Sequence, residues 1–198
     1  RKIKRIQKVF KTDLRKDYVM SFIRFKLHFL QRSSSEKSVA VEGIDRMMEV
    51  GGIFLILLIA VLSIAFFGDS DRPVPVHFDA GLHADAWGDS FSYLVLGGFG
   101  VLITLLCLWA SRYPRFINLP VVMRPETEQM QNFMKCRYAR VLTLLIGLMF
   151  LSLLLLCRAM QLEKAWAGVA SVCFGLFLLG ILVIVVVASI HVQRLGRR

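Results

Sequence analysis

Proline is scarce in this 198-residue chain, and all five prolines (Pro73, Pro75, Pro114, Pro120 and Pro125) stand outside its long apolar runs. Cysteine is equally sparse: Cys107, Cys136, Cys157 and Cys173, with no Cys-x-x-Cys pair. That excludes a disulfide framework and a Cys-rich zinc site, leaving the thiols as small apolar packing residues. No Gly-x-Ser-x-Gly, His-Glu-x-x-His or phosphate-cradling loop occurs, which removes the common hydrolase, metalloprotease and nucleotide-binding signatures. Ionisable residues are missing from the apolar runs as well. Proton-coupled pumps need such groups within the bilayer. Secondary transporters are marked by inverted repeats and broken helices, which this sequence lacks.

What is abundant is apolar surface. The chain is 56% hydrophobic with a mean hydropathy of +0.61. Four runs, at about 50–67, 91–110, 141–157 and 166–190, have the length and purity of membrane spans. Backbone groups in lipid must be paired internally, so the runs are read as helices. The third is short, and Arg158 at its end is expected to snorkel to the interface. Trp109, Tyr113, Trp166 and Tyr93 stand near run ends, where interfacial aromatics collect. Ala167, Ser171 and Gly175 recur every four residues on the fourth run; Gly97, Gly98, Gly100 and Thr104 cluster on the second. Such small residues serve packing within a bundle or assembly into a homo-oligomer.

The net charge is +11, and its placement matters more than its size. Lys and Arg crowd residues 1–46, the segment between runs two and three, and the tail. The first interhelical loop holds only Arg72, and the third only Arg158 and Lys164. Short basic loops stay cytoplasmic. The expected architecture is an all-α integral membrane protein, a four-helix transmembrane bundle with both termini cytoplasmic. The expected location is a bacterial cytoplasmic (inner) membrane. Because the positive-inside rule accounts for the basic charge, no nucleic-acid partner is expected.

Two parts are distinguished: a basic cytoplasmic segment, 1–46, and a four-span membrane module, 47–198. Ile3, Ile6, Phe10 and Leu14 recur near helical spacing among lysines and arginines, the pattern of a basic amphipathic helix on an anionic leaflet. Residues 22–29 alternate in strand fashion, and 32–38 read as a polar linker. The first methionine is Met20, and Met47 and Met48 precede the first run. The segment therefore reads either as a natural extension or as an upstream stretch from a misplaced start.

The densest cluster of polar, turn-forming and aromatic residues is 71–90, between runs one and two. Pro73 and Pro75 set extended backbone, Asp79 and Gly81 make a turn, and Phe78 and Trp87 pack the loop onto the bundle or the membrane interface. His77 serves as a hydrogen-bonding strut. His77, His83 and Asp85 also have the ligand chemistry of zinc, but their spacing is weak evidence. No metal and no cofactor are expected. On the other side, Pro114, Asn118 and Pro120 suggest a stiff interfacial turn. A polar helix follows it, with Thr127 as N-cap or Pro125 at its first position.

These two loops carry a resemblance. Pro75, His77, Phe78 and Asp79, followed by Asp85, Trp87 and Gly88, resemble the outer loop of a bacterial membrane domain of unknown function (Pro-x-His-Phe-Asn, Gly, Asp-x-Trp-Gly, then Lys). That module forms the N-terminal part of SdpI-type immunity proteins. Tyr113-Pro114-Arg115-Phe116-Ile117-Asn118-Leu119-Pro120-Val121 is similar to its inner turn. Asp79 replaces the usual Asn, Gly81 comes one place early, and Ser90 replaces the usual Lys. The resemblance covers about residues 50–157 and implies architecture more firmly than immunity to a secreted killing peptide. It supplies no catalytic residues.

The leading expectation is a non-enzymatic module for interaction, immunity or envelope sensing, using loop 71–90 toward a protein or peptide on the outer face. The alternatives are a small transporter or channel component, and a metal-dependent membrane enzyme built on His77, His83 and Asp85.

Overall fold

The computed structural model describes residues 42–79, 81, 83–122 and 125–197. Expectations for residues 1–41 lie outside them. Four helices are long and apolar enough to cross a membrane: α1 (Gly43–Gly68), α2 (Phe91–Ala110), α3 (Glu128–Gln161) and α4 (Ala167–Leu195). This is the architecture of a multi-pass membrane protein.

Helices α1, α2 and α3 pack on one another, whereas α4 rests on α3. Only 6% of the most apolar window of α4 is buried, against 39% for α3. Its Val, Leu and Ile side chains therefore have little protein to cover, as suits a lipid-facing helix. The three-helix core is held close by small residues. A Cβ at Gly97 would overlap the Cβ and Oγ of Ser63 on α1, and one at Gly100 would press on Phe150 of α3. Small side chains at these crossings let backbones approach, which is how helices associate where lipid offers no hydrophobic drive. The stripe on α4 behaves differently, because Gly175 faces open space.

Two strands interrupt the helices: β1 (Val74–Phe78) and β2 (Ala84–Gly88), between α1 and α2. They form an antiparallel hairpin within the segment expected as a loop of extended backbone with a turn at Asp79 and Gly81. Val74 pairs with Gly88, Pro75 with Trp87, His77 with Ala86 and Phe78 with Ala84. Two register shifts flank His77, so the bulged strand breaks simple alternation.

The third run is not short in space. α3 continues the polar stretch from Glu128 without a break, giving 34 residues. Thr127 precedes it as expected, yet its side chain makes no capping bond. The far end of α3 closes with a bond from Lys164 N–H to Ala159 O (2.9 Å) and one from Glu163 N–H to Met160 O (3.0 Å). This is a Schellman turn, with Glu163 at φ 52° in the left-handed place that glycine usually takes.

Candidate functional site

The hairpin is fastened to the bundle through its base. Val74 is buried with Tyr93, Leu154 and Cys157, and Phe78 packs against that cluster. Gly88 is needed at its position, because a Cβ there would come within 2.8 Å of Val76 and 3.0 Å of Ser92. The expected packing role of Phe78 is met. Trp87 stays 52% exposed.

Beneath the hairpin lies a polar clamp that loop composition did not announce. Gln161, at the end of α3, accepts from the Tyr93 hydroxyl (2.9 Å) and from Arg158 (2.8 Å). Its amide donates to Ser70 Oγ (2.5 Å) and to the Arg72 carbonyl (2.7 Å). Arg158 also pairs with Asp69 and lies over the Phe66 ring. Two expectations are thereby corrected. Arg158 does not snorkel outward but folds into the clamp, because Asp69 and Gln161 supply partners that headgroups would otherwise provide. Tyr93 is fully buried instead of interfacial, because its hydroxyl has a protein acceptor.

The hairpin's own polar residues face outward. His77 Nδ1–H donates to Asp85 Oδ1 at 2.5 Å, with the two side chains 68% and 49% exposed. An ionised carboxylate only accepts, which sets the histidine tautomer. Asp79 organises the tip, accepting from the N–H groups of Gly81 (2.9 Å) and His83 (2.8 Å) through one oxygen. This is the expected Asp79–Gly81 turn. The histidines thus divide, His77 to Asp85 and His83 to Asp79 (3.4 Å). Among the described residues no group of three His, Cys, Asp or Glu side chains is placed to hold a metal ion.

The turn at Asp79 has a pH signature. The His83 N–H foremost, with the Gly81 N–H and His83 ring assisting against some desolvation, holds the Asp79 carboxyl below its ordinary value. A depressed folded pKa stabilises the turn above the unfolded value of about 3.9. That stabilisation is lost as pH falls through the folded value. Amide exchange at Gly81 and His83 should accelerate relative to other hairpin amides only below about pH 4. Loosening already at pH 6 would contradict this role for Asp79.

Two depressions adjoin the hairpin. An apolar cavity of about 360 Å³ runs between β1 and α2, bordered by Pro75, Phe78, Tyr93, Val95 and Phe99. On the other side, a groove of about 610 Å³ separates the hairpin from the α3–α4 turn.

At the opposite end of the bundle, Pro114–Phe116 forms a 3-10 turn and Val121 N–H bonds Leu119 O around Pro120 (2.8 Å). Asn118 is exposed between these turns. Trp109, Tyr113 and Phe116 stack together there, with Arg115 over the Phe116 ring.

Beside this turn is an ion-pair network that the apolar runs did not reveal. Glu49 takes both Arg112 Nη2 (2.8 Å) and Arg140 Nε (3.3 Å). Asp45 takes Arg137 Nη2 (3.0 Å) and Arg140 Nη1 (3.1 Å), and Glu42 also takes Arg137 (2.6 Å). Asp45 and Arg140 are wholly buried. A sequence signal existed: Asp45 and Glu49 stand four apart, on the helix face continued by Gly52, Ile59 and Ser63.

Set against known protein families, curated proteins and solved structures, the chain finds no match.

Proposed function

We propose that this chain is a non-enzymatic interaction module of a bacterial cytoplasmic membrane, with both termini inside and the hairpin on the outer face. The charge distribution supports the orientation, since Lys and Arg concentrate in 1–46, in the α2–α3 connection and in the tail. The hairpin is the recognition element, presenting His77, Asp85 and Trp87 to a protein or peptide of the envelope. One observation carries this reading. The hairpin base is clamped by Gln161, Arg158 and Tyr93, while the side chains of His77, Asp85 and Trp87 remain exposed. A rigid platform with an exposed aromatic and polar edge binds without a large ordering cost. The resemblance to SdpI-type proteins fits an immunity-like or envelope-sensing role.

Partners recovered with the wild-type membrane protein provide the test. Trp87→Ala should weaken recovery roughly thirtyfold, the scale of a central aromatic anchor. His77→Ala should weaken it less, because an exposed ion pair contributes about 0–1 kcal/mol. Unchanged partners and unchanged sensitivity to envelope-active peptides in both variants would remove the hairpin from this role.

A further inference from the structure

The groove between the hairpin and the α3–α4 turn has a charge pattern unlike its surroundings. The loop segments at this end, with the last turn of α3, carry six acids: Asp69, Asp71, Asp79, Asp85, Asp89 and Glu163. They carry only three Lys or Arg residues: Arg72, Arg158 and Lys164. Arg158 is committed to Asp69 and Gln161. The other two, Arg72 and Lys164, both line the groove. Their side chains pair with no carboxylate among the described residues, and both residues are exposed.

Both cations sit on fixed backbone. The Arg72 carbonyl is held by Gln161, and Lys164 N–H closes the Schellman turn on Ala159. Between them the groove is bordered by Pro73, Trp87, Met160 and Ala167. His83 and Glu163 also border it. Glu163 is the single acid there against two cations, so the lining retains net positive charge. Ala167, the first residue of α4, borders the groove, and the exposed Val169, Val172 and Leu176 of that helix begin within one turn of it.

From this arrangement we infer that the groove binds the phosphate headgroup of an anionic phospholipid in the leaflet at the hairpin end. The phosphate lies between Arg72 and Lys164, the glycerol region lies against Trp87, and the acyl chains descend along α4. Charge complementarity selects the anion, and the exposed apolar face below favours a lipid over a soluble anion. Tryptophan beside cationic side chains suits the headgroup level of a bilayer. This inference goes beyond the reading of the hairpin edge, because neither His77 nor Asp85 lines the groove.

The full chain in nanodiscs of phosphatidylcholine doped with phosphatidylglycerol provides the test. Native mass spectrometry counts the phosphatidylglycerol retained after release, and titration gives its affinity. A cation near the membrane surface contributes about 1 kcal/mol, or about fivefold. Arg72→Ala and Lys164→Ala should each weaken retention about fivefold, and together about thirtyfold. The charge-conserving pair Arg72→Lys with Lys164→Arg should restore it, while His77→Ala and Asp85→Ala leave it unchanged. Unaltered melting temperatures would show that the exposed substitutions leave the fold intact. Wild-type retention by the double alanine variant would overturn the site. Displacement of the lipid by glycerol phosphate or by a peptide carboxylate in solution, at matching concentration, would overturn the lipid assignment.

Discussion

Replacing Asp45 with leucine is expected to cost about 3–5 kcal/mol, the penalty for leaving a buried charge without its partner. Arg140 is wholly buried, and its guanidinium lies between Asp45 and Glu49. Without Asp45 it keeps only the 3.3 Å contact to Glu49, and its Nη2 already has no hydrogen-bond partner among the described residues. The double variant Asp45→Leu with Arg140→Leu should be damaged less than Asp45→Leu alone. It removes the stranded charge and leaves Glu49 with Arg112 and Arg137 with Glu42. Buried pairs replaced whole by apolar residues are often neutral in stability, whereas half-removed pairs are not. Unfolding in detergent, with SDS as denaturant, reads both. A loss below about 1 kcal/mol for the single variant, the scale of an exposed pair, would contradict the burial argument. So would a double variant that loses the sum of both single losses.

At neighbouring glycines, the same substitution should have opposite effects. Gly97→Ala places a methyl group into Ser63, where α1 and α2 cross. Gly98 has nothing within 4 Å of an added Cβ. Alanine is favoured over glycine in a helix by about 1 kcal/mol. At Gly98 that preference acts alone, and the variant should be neutral or slightly more stable. At Gly97 overpacking of about 1–3 kcal/mol exceeds it, and Gly97→Leu should prevent the helices from docking. Ser63→Gly should rescue Gly97→Ala, but Ser63→Ala should not, because the clash includes the Ser63 Cβ as well as its hydroxyl. Equal stability of Gly97→Ala and Gly98→Ala would show that the crossing is looser than the structure has it.

The four helices were legible because twenty apolar residues in lipid have one local solution. The turn at Asp79 was legible for an equally local reason, since its carboxylate bonds N–H groups two and four residues away. The hairpin around it was harder to read. Pro75 and the bulge around Val76 spoil the period-two pattern that marks a strand, and pairing with Ala84–Gly88 depends on tertiary support. The clamp and the ion-pair network were hidden for a third reason. Arg158, Tyr93, Asp45 and Glu49 each stand near a span end, where sequence reasoning assigns snorkelling, interfacial anchoring or solvation. Apart from Gln161 beside Arg158, their partners lie 63 to 95 residues away, and no local pattern encodes such a distance.

Those separations also impose an order on biogenesis. Asp45 and Glu49 enter with α1, but Arg137 and Arg140 follow 92 and 91 residues later. Glu49 meets its nearest arginine in sequence, Arg112, after 63 residues. At roughly 5–20 residues per second, Asp45 waits about 5–20 s of synthesis for its partners. The other end is delayed alike, since Arg158 follows Asp69 by 89 residues. Both closures therefore depend on α3, and a nascent chain stalled after α2 would present unmatched acids to the insertion and quality-control machinery at both of its ends.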